Sequence, residues 1–502
     1  MLKKIWRSNS IWAVIAQVVG SGITFIAAPI ISQKVGIEAY GYVSLAQNIL
    51  MYIGTIVIAF NYFSERNITV SYHRREIESA KSFFSSILVA DAAIFIIVFV
   101  PSIFLIYNLQ NLLKISPILE KDIKWLFFFM LLNYFAALFG TTLEVAGVVS
   151  NRIDINSKNR TLSSLIHFSI LITLLWLTTP HIWYVGLGHL IASVIFFLIQ
   201  LTVKKRLLPD LNFSRKLVSI ERILTQIKSG VWVALNNLGN ILNDGLDLLI
   251  TNLMISEYTM GVISIAKLFG NFSYAVVVAI GNSLRGTQIK AYAAGDTDLL
   301  VYRLKRSMKI TGVAFCLIYG GFCGWGKFFL SIWLKGEDIA YIYKMSVLSL
   351  SANIITSIVA PLYYIYTLYE KMRVPCFITI GMGIFNVISM YLLIKFTTTG
   401  GYAVLLTTCI INSLHLIDAP IYSAFCMGIK KTTFYPTIAR IFSFFIIYVI
   451  IAEIINSVWN PIGIIQMFIK ATCYIVMGVL ISFVIVANKD EQLLILSIVR
   501  KR

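Results

Sequence analysis

Long apolar stretches alternate with short polar connections along the whole 502-residue chain. Each stretch has the roughly 20 mainly apolar residues that a helix needs to cross the hydrocarbon of a bilayer. Outer-membrane barrels instead use shorter segments of alternating polarity, a pattern that this chain lacks. The pattern predicts an all-α membrane protein with about fourteen spans, at 11–33, 41–62, 82–107, 125–149, 161–179, 182–203, 231–254, 259–284, 308–333, 342–368, 374–396, 401–427, 437–456 and 461–487.

The basic charge is distributed unevenly between the connections that join these stretches. Charged residues make up only 13% of the chain, yet the net charge is +19. When the connections are numbered from the N-terminus, the even-numbered ones and both tails hold most of the lysines and arginines. This alternation follows the positive-inside rule, so we expect both termini in the cytoplasm. Membrane topology explains the charge without nucleic-acid binding.

The sequence contains no motif for catalysis or for a resident metal. The six cysteines lie in apolar stretches without paired ligand spacing, which is typical of core packing. The segment GFCGWGKF at 321–328 approaches a phosphate-binding loop, but Phe328 stands where that loop requires Ser or Thr. We therefore expect neither an enzyme nor a cofactor, and transport would depend on an ion gradient or the membrane potential.

The chain repeats itself at an offset of 220 residues. IWAVIAQVVG at 11–20 aligns with VWVALNNLGN at 231–240, and GYVSLAQ at 41–47 aligns with GVISIAK at 261–267. Each copy opens a set of six spans, so both sets enter the membrane in the same direction. This arrangement predicts parallel repeats around a two-fold pseudo-axis along the membrane normal, with a substrate site between the halves. We expect lobes at 1–203 and 231–427, a cytoplasmic linker at 204–230, and two additional spans at 428–502.

Polar side chains are concentrated in NNLGNILNDGLD, residues 236–247, within the seventh predicted span. On a regular α-helix they share an arc of about 120°. They are Asn236, Asn237, Asn240, Asn243, Asp244 and Asp247. The eighth span carries a second polar arc, of about 80°. It consists of Ser264, Lys267, Asn271, Tyr274, Asn282 and Arg285.

Lys267 falls near the middle of the bilayer, where a charge costs at least about 2.5–3.5 kcal/mol. We expect it to face water, an anionic ligand, or a carboxylate such as Asp244 or Asp247. Gln47 and Thr24 occupy the equivalent positions of Lys267 and Asp244 in the first repeat, so the repeat folds without these charges. The alternative is that the asparagines and the Asp–Lys pair only join helices to one another.

Two more carboxylates lie deep inside predicted spans. Asp91 is in the third span and Asp418 in the twelfth. Intramembrane ionisable residues are costly and often belong to ion or proton paths. We expect Asp91, Asp418, Asp244 and Asp247 to be the candidates for binding a coupling ion, either H⁺ or Na⁺.

With VGIEAYGYVSLAQ after the first span and GLDLLITNLMISEYTMGVISIAK across the seventh and eighth, the chain resembles polysaccharide flippases. These are the Wzx-like branch of the multidrug/oligosaccharidyl-lipid/polysaccharide exporter superfamily. The resemblance covers essentially the whole chain. In one departure, Arg285 stands about where the second-half pattern usually has Pro, and it adds a cation at the predicted cytoplasmic mouth.

The resemblance implies that a bacterial inner-membrane protein moves an undecaprenyl-diphosphate-linked repeat unit, such as an O-antigen unit, to the periplasmic face by alternating access. Lys267 and Arg285 would bind the diphosphate. Amide side chains would bind the sugars: Gln47, Asn236, Asn240, Asn243 and Asn271. The two final spans would hold the polyprenyl tail. The expected partners are this glycan lipid, membrane lipid, and a polysaccharide polymerase with its chain-length machinery, and a monomer is expected.

Two other functions remain open from the sequence. A multidrug cation antiporter of the same superfamily would need a carboxylate-rich cavity, and Lys267 would repel its substrates. A membrane enzyme of the O-antigen polymerase or ligase type would carry a large periplasmic loop, whereas every predicted outer connection here is short.

Overall fold

The computed structural model describes residues 9–61, 64–459, 463–488 and 491–492, which are helical with short connections and include no β-strand. The helices are α1 Asn9–Val35, α2 Ile37–Asn61, α3 Ser64–His73, α4 Ile77–Tyr107, α5 Leu109–Leu112, α6 Glu120–Leu143, α7 Val145–Val149, α8 Ile153–Leu177, α9 Trp183–Leu207, α10 Ile220–Asn240, α11 Asp247–Met254, α12 Glu257–Ala293, α13 Thr297–Trp333, α14 Ile339–Leu368, α15 Arg373–Phe396, α16 Gly401–Ser413, α17 His415–Met427, α18 Tyr435–Val458 and α19 Ile464–Ile485. A 3₁₀ turn at Arg215–Leu217 and a π turn at Ile241–Gly245 complete the described elements.

The predicted all-helical membrane fold is confirmed. Within the described residues, twelve helices are long and apolar enough to cross a membrane, and each falls on a predicted span. The other two predicted spans, 41–62 and 231–254, correspond to α2 and to the interrupted helix formed by α10, the π turn and α11. About fourteen membrane helices therefore agree with the apolar pattern.

Helices α12 and α13 are much longer than the bilayer requires. Each has 37 residues. At 1.5 Å per residue each is roughly 55 Å long, against about 30 Å of hydrocarbon. The two helices are joined by the short connection at 294–296, and Lys290 and Arg303 lie on the helices on either side of it. Arg303, Lys305 and Arg306 of α13 precede the predicted span that begins at residue 308.

The chain forms two compact units. The first comprises Met1–Gly261 and Thr379–Ile384, and the second comprises Val262–Ile378 and Phe385–Arg502. Helix α10 belongs to the first unit because it packs against α2. The lobe boundaries drawn from the repeat remain a prediction about internal symmetry. Helix α10 begins at Ile220, so the predicted linker 204–230 is helical in its last part.

Glycines allow close helix packing inside each unit. In the first unit, a Cβ atom on Gly41 would lie 2.9 Å from the Cα atom of Gly261, the residue that the repeat pairs with it. In the second unit, Gly320 and Gly324 of α13 face the rings of Tyr448 and Tyr474, and neither glycine has room for a Cβ atom. These contacts fix α18 and α19 against α13.

Candidate functional site

The polar stretch of the seventh span is not a regular α-helix. A π turn at Ile241–Gly245 separates α10 from α11. The carbonyl oxygen of Gly245 accepts hydrogen bonds from two side chains of α2, Asn48 Nδ2 at 3.1 Å and Tyr52 Oη at 2.5 Å. A wider π turn disrupts the ordinary carbonyl pairing of an α-helix, and here α2 supplies the donors.

The π turn redistributes the predicted polar face. Asn240 and Asp244 are exposed and Asn236 is half-buried, but Asn243 is buried and Asp247 is completely buried. The prediction that all of these residues share one arc of a regular α-helix was wrong, because the extra residue in the π turn rotates the residues that follow it. Pi turns of this kind are frequent at functional sites.

A buried asparagine that was not among the predicted site residues anchors the C-terminal end of this span. Asn252 is fully buried on α11. Its amide donates to the carbonyl oxygen of Lys114 at 3.0 Å, and its carbonyl accepts from the Lys114 backbone N–H at 3.0 Å. Tyr42 of α2 donates to the same Lys114 oxygen. The only sequence signal was one amide within the apolar run LLITNLMI.

The first unit contains a polar cavity of about 820 Å³. It is formed by α1, α3, α4, α6, α7, α8 and α9, and its polar lining is rich in hydroxyl groups. The polar residues are Gln17, Ser64, Glu65, Thr141, Thr142, Glu144, Asn156, Ser157, Arg160, Ser163, Ser164 and Ser193. None of these residues was among the predicted site residues, because only tertiary packing brings them together.

An ion pair crosses this cavity from the break between α6 and α7 to α8. Arg160 Nε donates to Glu144 Oε1 at 2.7 Å, and a second guanidinium nitrogen binds the other carboxylate oxygen. The Glu144 side chain is 12% exposed and that of Arg160 is 57% exposed. Burial and the neighbouring Glu144 carboxylate raise the pKa of Glu65, while Arg160 opposes that rise. The cavity therefore has two carboxylates and one guanidinium.

Asp91, a predicted coupling-ion ligand, lies directly behind the wall of this cavity. It is fully buried on α4. Thr142, which lines the cavity, donates its hydroxyl proton to Asp91 Oδ2 at 2.7 Å. Asp91 is therefore one side chain away from the water-accessible space. Gln47, on α2 of the same unit, is exposed.

The second unit also carries exposed polar side chains on a membrane-spanning helix. On α12, Asn271 and Arg285 are exposed and Lys267 is half-buried. The Arg285 guanidinium lies 4.9 Å from the centre of the Tyr364 ring, a cation–π contact. Polar groups on a membrane helix ordinarily face protein or water rather than lipid. These three side chains suit a hydrated path.

Asp418 has a partner on its own helix. His415 Nδ1 lies 3.0 Å and 3.2 Å from its two carboxylate oxygens. The His415 ring in turn makes an edge contact with Tyr363 on α14. The Asp418 side chain is 17% exposed, so its carboxylate mainly faces His415 rather than open water.

Comparison with solved structures identifies the fold. The lipid II flippase MurJ, in an inward closed conformation, superposes with a TM-score of 0.74 over 94% of this chain and 98% of its own, at 13% identity. An inward-facing multidrug resistance MATE family transporter of the MOP superfamily has a TM-score of 0.67 over 83% of this chain and 98% of its own, also at 13% identity. This is the fold of the MATE transporters and MurJ.

Sequence comparison adds a relative of the same length. The uncharacterized membrane protein EpsK of Bacillus subtilis (strain 168) is 25% identical over 486 residues, covering 94% of each chain. No protein-family profile matches the chain. The fold is therefore clear, whereas the substrate must be argued from the side chains.

Proposed function

We propose that this chain is a flippase that moves undecaprenyl-diphosphate-linked oligosaccharide repeat units from the cytoplasmic to the outer face of the bacterial inner membrane. The observation that carries the proposal is the match to a lipid II flippase over 94% of the chain. The MATE transporter in its inward-facing form matches 83%. A substrate with a diphosphate and sugars needs cations and hydrogen-bonding side chains, and we assign these to residues of the predicted polar arcs and to Gln47.

Cations for the diphosphate come from α12. Lys267 and Arg285 are 18 residues apart, five helical turns, and thus on one side of the helix but about 27 Å from each other, so the diphosphate would contact them one after the other. Phosphate groups form charge-assisted hydrogen bonds with such side chains that are roughly twice as strong as neutral ones. A multidrug cation antiporter binds cationic substrates through carboxylates, and a positive charge on Lys267 would repel such substrates.

Amides bind the sugar hydroxyls in this proposal. Asn240, Asn271 and Gln47 are exposed and Asn236 is half-buried, so they can act in the conformation described. Asn243 is buried, and it joins them only if the π turn rearranges. A π turn that returned to α-helix would turn Asn243 relative to α10, which makes this segment a plausible moving part of an alternating-access cycle.

The coupling ion, H⁺ or Na⁺, is assigned to the carboxylates according to their surroundings. Asp244 is exposed and is the first candidate. Asp247 and Asp91 are fully buried, so they would take a proton or an ion only after local opening. Asp418 is coupled to His415 and would act through that pair.

The test uses purified full-length protein in vesicles that contain a fluorescent polyprenyl-diphosphate-linked saccharide. Movement of the saccharide between leaflets is measured with an impermeant quencher. Lys267→Gln installs the residue found at the equivalent position of the first repeat, and we expect it to slow translocation at least tenfold. Lys290→Gln is the matched control, since Lys290 is exposed near the end of the same helix.

One result would overturn the proposal, and another would overturn its assignment of site residues. If the wild-type protein leaves the saccharide lipid in its leaflet but exports a cationic dye in exchange for protons that move down their gradient, it is a multidrug antiporter. Equal rates for the wild type, Lys267→Gln and Asp244→Asn would remove these residues from the site.

A further inference from the structure

We propose that the second unit has a binding pocket for the phosphate headgroup of an anionic membrane phospholipid, between α13, α18 and the end of α19. The pocket is a cavity of about 780 Å³. Four basic side chains converge on it from two helices: Lys305, Arg306, Lys309 and Arg440. Among the described lining residues, Glu491 is the one carboxylate. This inference is independent of the proposed function.

The pocket is held in shape by hydrogen bonds at its rim. Lys309 Nζ binds Glu491 Oε2 at 2.7 Å, and this carboxylate oxygen also accepts from the Asn488 backbone N–H at 2.8 Å. Arg440 donates to Asn488 Oδ1. Gln492 Nε2 donates to the Phe483 carbonyl oxygen at 2.9 Å. Glu491 is thereby joined to α13, and Asn488 to α18.

The described lining residues of the pocket have a positive charge balance. Glu491 neutralises Lys309, whose side chain is only 10% exposed. The Lys309 hydrogen bond lowers the pKa of Glu491 despite the opposing effect of burial, so this carboxylate stays ionised at neutral pH. Three cations remain, and Arg306 and Arg440 are exposed and Lys305 half-buried. Arginine presents a planar fork that suits phosphate oxygens.

The depth of the pocket matches the lipid headgroups. Counting about 20 residues back from Trp333 along α13 puts membrane entry near residue 313. Lys309 and Arg306 then lie roughly 6 Å and 10 Å beyond the hydrocarbon edge, at 1.5 Å per residue. Pro436 near the start of α18 and Ile485 at the end of α19 line the same cavity. The exposed Val484, 71% accessible, offers an apolar surface beside the basic groups.

The positive-inside rule alone accounts for basic residues at this end of the helices but not for their convergence. Topology requires only that cations be numerous in cytoplasmic connections. Here they come from helices more than 130 residues apart in sequence and share one concave surface. Basic pockets between membrane helices on the cytoplasmic side are typical sites for anionic lipid headgroups.

The test is native mass spectrometry of the delipidated full-length protein with equimolar phosphatidylglycerol and phosphatidylcholine. We expect phosphatidylglycerol adducts to exceed phosphatidylcholine adducts several-fold. Arg306→Gln should lower phosphatidylglycerol affinity about fivefold, the effect typical of one basic side chain near anionic lipid. Arg303→Gln removes the same charge from the same helix outside the described lining and should have little effect.

Lys305→Gln provides a second test if Arg306→Gln does not fold, and each variant must unfold at the wild-type temperature. The proposal is overturned if phosphatidylglycerol and phosphatidylcholine give equally intense adducts. It is also overturned if Arg306→Gln and Arg303→Gln lower the phosphatidylglycerol affinity equally. Inorganic pyrophosphate is then added as a competitor of phosphatidylglycerol. If it displaces phosphatidylglycerol at equal concentration, the pocket recognises a free phosphate compound rather than a lipid, and the proposal fails.

Discussion

Two polar cavities of similar volume, one in each unit, differ in their charge. The first-unit cavity, about 820 Å³, pairs Arg160 with Glu144 and adds Glu65. The second-unit pocket, about 780 Å³, has four cations and one carboxylate among its described lining residues. Size alone would suggest similar ligands. The charge instead suits the first to hydroxyl-rich or cationic groups and the second to phosphate.

The same substitution should act differently in the two cavities, and this is the largest effect we expect. Arg160→Met leaves the 12% exposed Glu144 carboxylate without its guanidinium partner. Removing one partner of a buried pair costs 3–5 kcal/mol, but the exposure of Arg160 reduces this to about 1–2 kcal/mol. Arg306→Met should change stability by less than about 0.5 kcal/mol. Thermal unfolding of the purified variants measures both.

Equal destabilisation by the two arginine substitutions would contradict this contrast. So would a stable Arg160→Met variant, since it would mean that the Glu144 carboxylate finds another partner at no cost. Glu144→Gln together with Arg160→Met serves as a control, because removing both charges should recover part of the lost stability.

Removing the single described carboxylate of the second-unit pocket should strengthen lipid binding. Glu491→Gln releases Lys309 from its ion pair and makes the pocket more positive. We expect phosphatidylglycerol affinity to rise up to about fivefold, because one basic side chain near anionic lipid contributes about 1 kcal/mol. Native mass spectrometry reads this directly, and unchanged or weaker phosphatidylglycerol binding would show that Lys309 does not face the headgroup.

The smallest expected effect is a difference in the sign of pH dependence. The pKa of Glu65 is raised by burial and by Glu144, so its contribution to stability falls as pH rises from about 4.3 through the raised value. The pKa of Glu491 is lowered, so its contribution is present above about 4.3 and is lost as pH falls. Unfolding temperatures of Glu65→Gln and Glu491→Gln against pH should deviate from the wild type in opposite directions.

If the unfolding temperatures of both glutamate variants deviate from the wild type in the same direction as pH changes, the opposite pKa shifts assigned to Glu65 and Glu491 are wrong. Asp298→Asn is a suitable control, since Asp298 is an exposed acid in the first turn of α13 outside both described linings. It should leave the slope of unfolding temperature against pH close to that of the wild type.

The membrane helices could be predicted from the sequence because hydrocarbon thickness imposes a length that apolar runs reveal directly. The interruption of the seventh span could not be predicted from the sequence. Its π turn depends on Asn48 and Tyr52, donors almost 200 residues away in sequence. The periodicity of residues 236–247 is compatible with a regular α-helix, and only the packing of α10 against α2 selects the wider turn.

Both cavities were hidden for a related reason. Glu65, Glu144 and Arg160 lie near helix ends, where a charge ordinarily reaches water and carries no signal. Lys305, Arg306 and Arg440 satisfied the positive-inside rule and needed no other explanation. Only the tertiary packing brings these side chains onto shared surfaces, whereas Lys267 and Asp244 were noticeable because their positions within a span are costly.

The most direct test of the central claim is deletion of this gene in its source bacterium, followed by determination of the membrane face that lipid-linked saccharides occupy. The account predicts that single repeat units accumulate on the cytoplasmic face, and mass spectrometry would identify their sugars. Single units that reach the outer face but are not polymerised would contradict it and would indicate a polymerase.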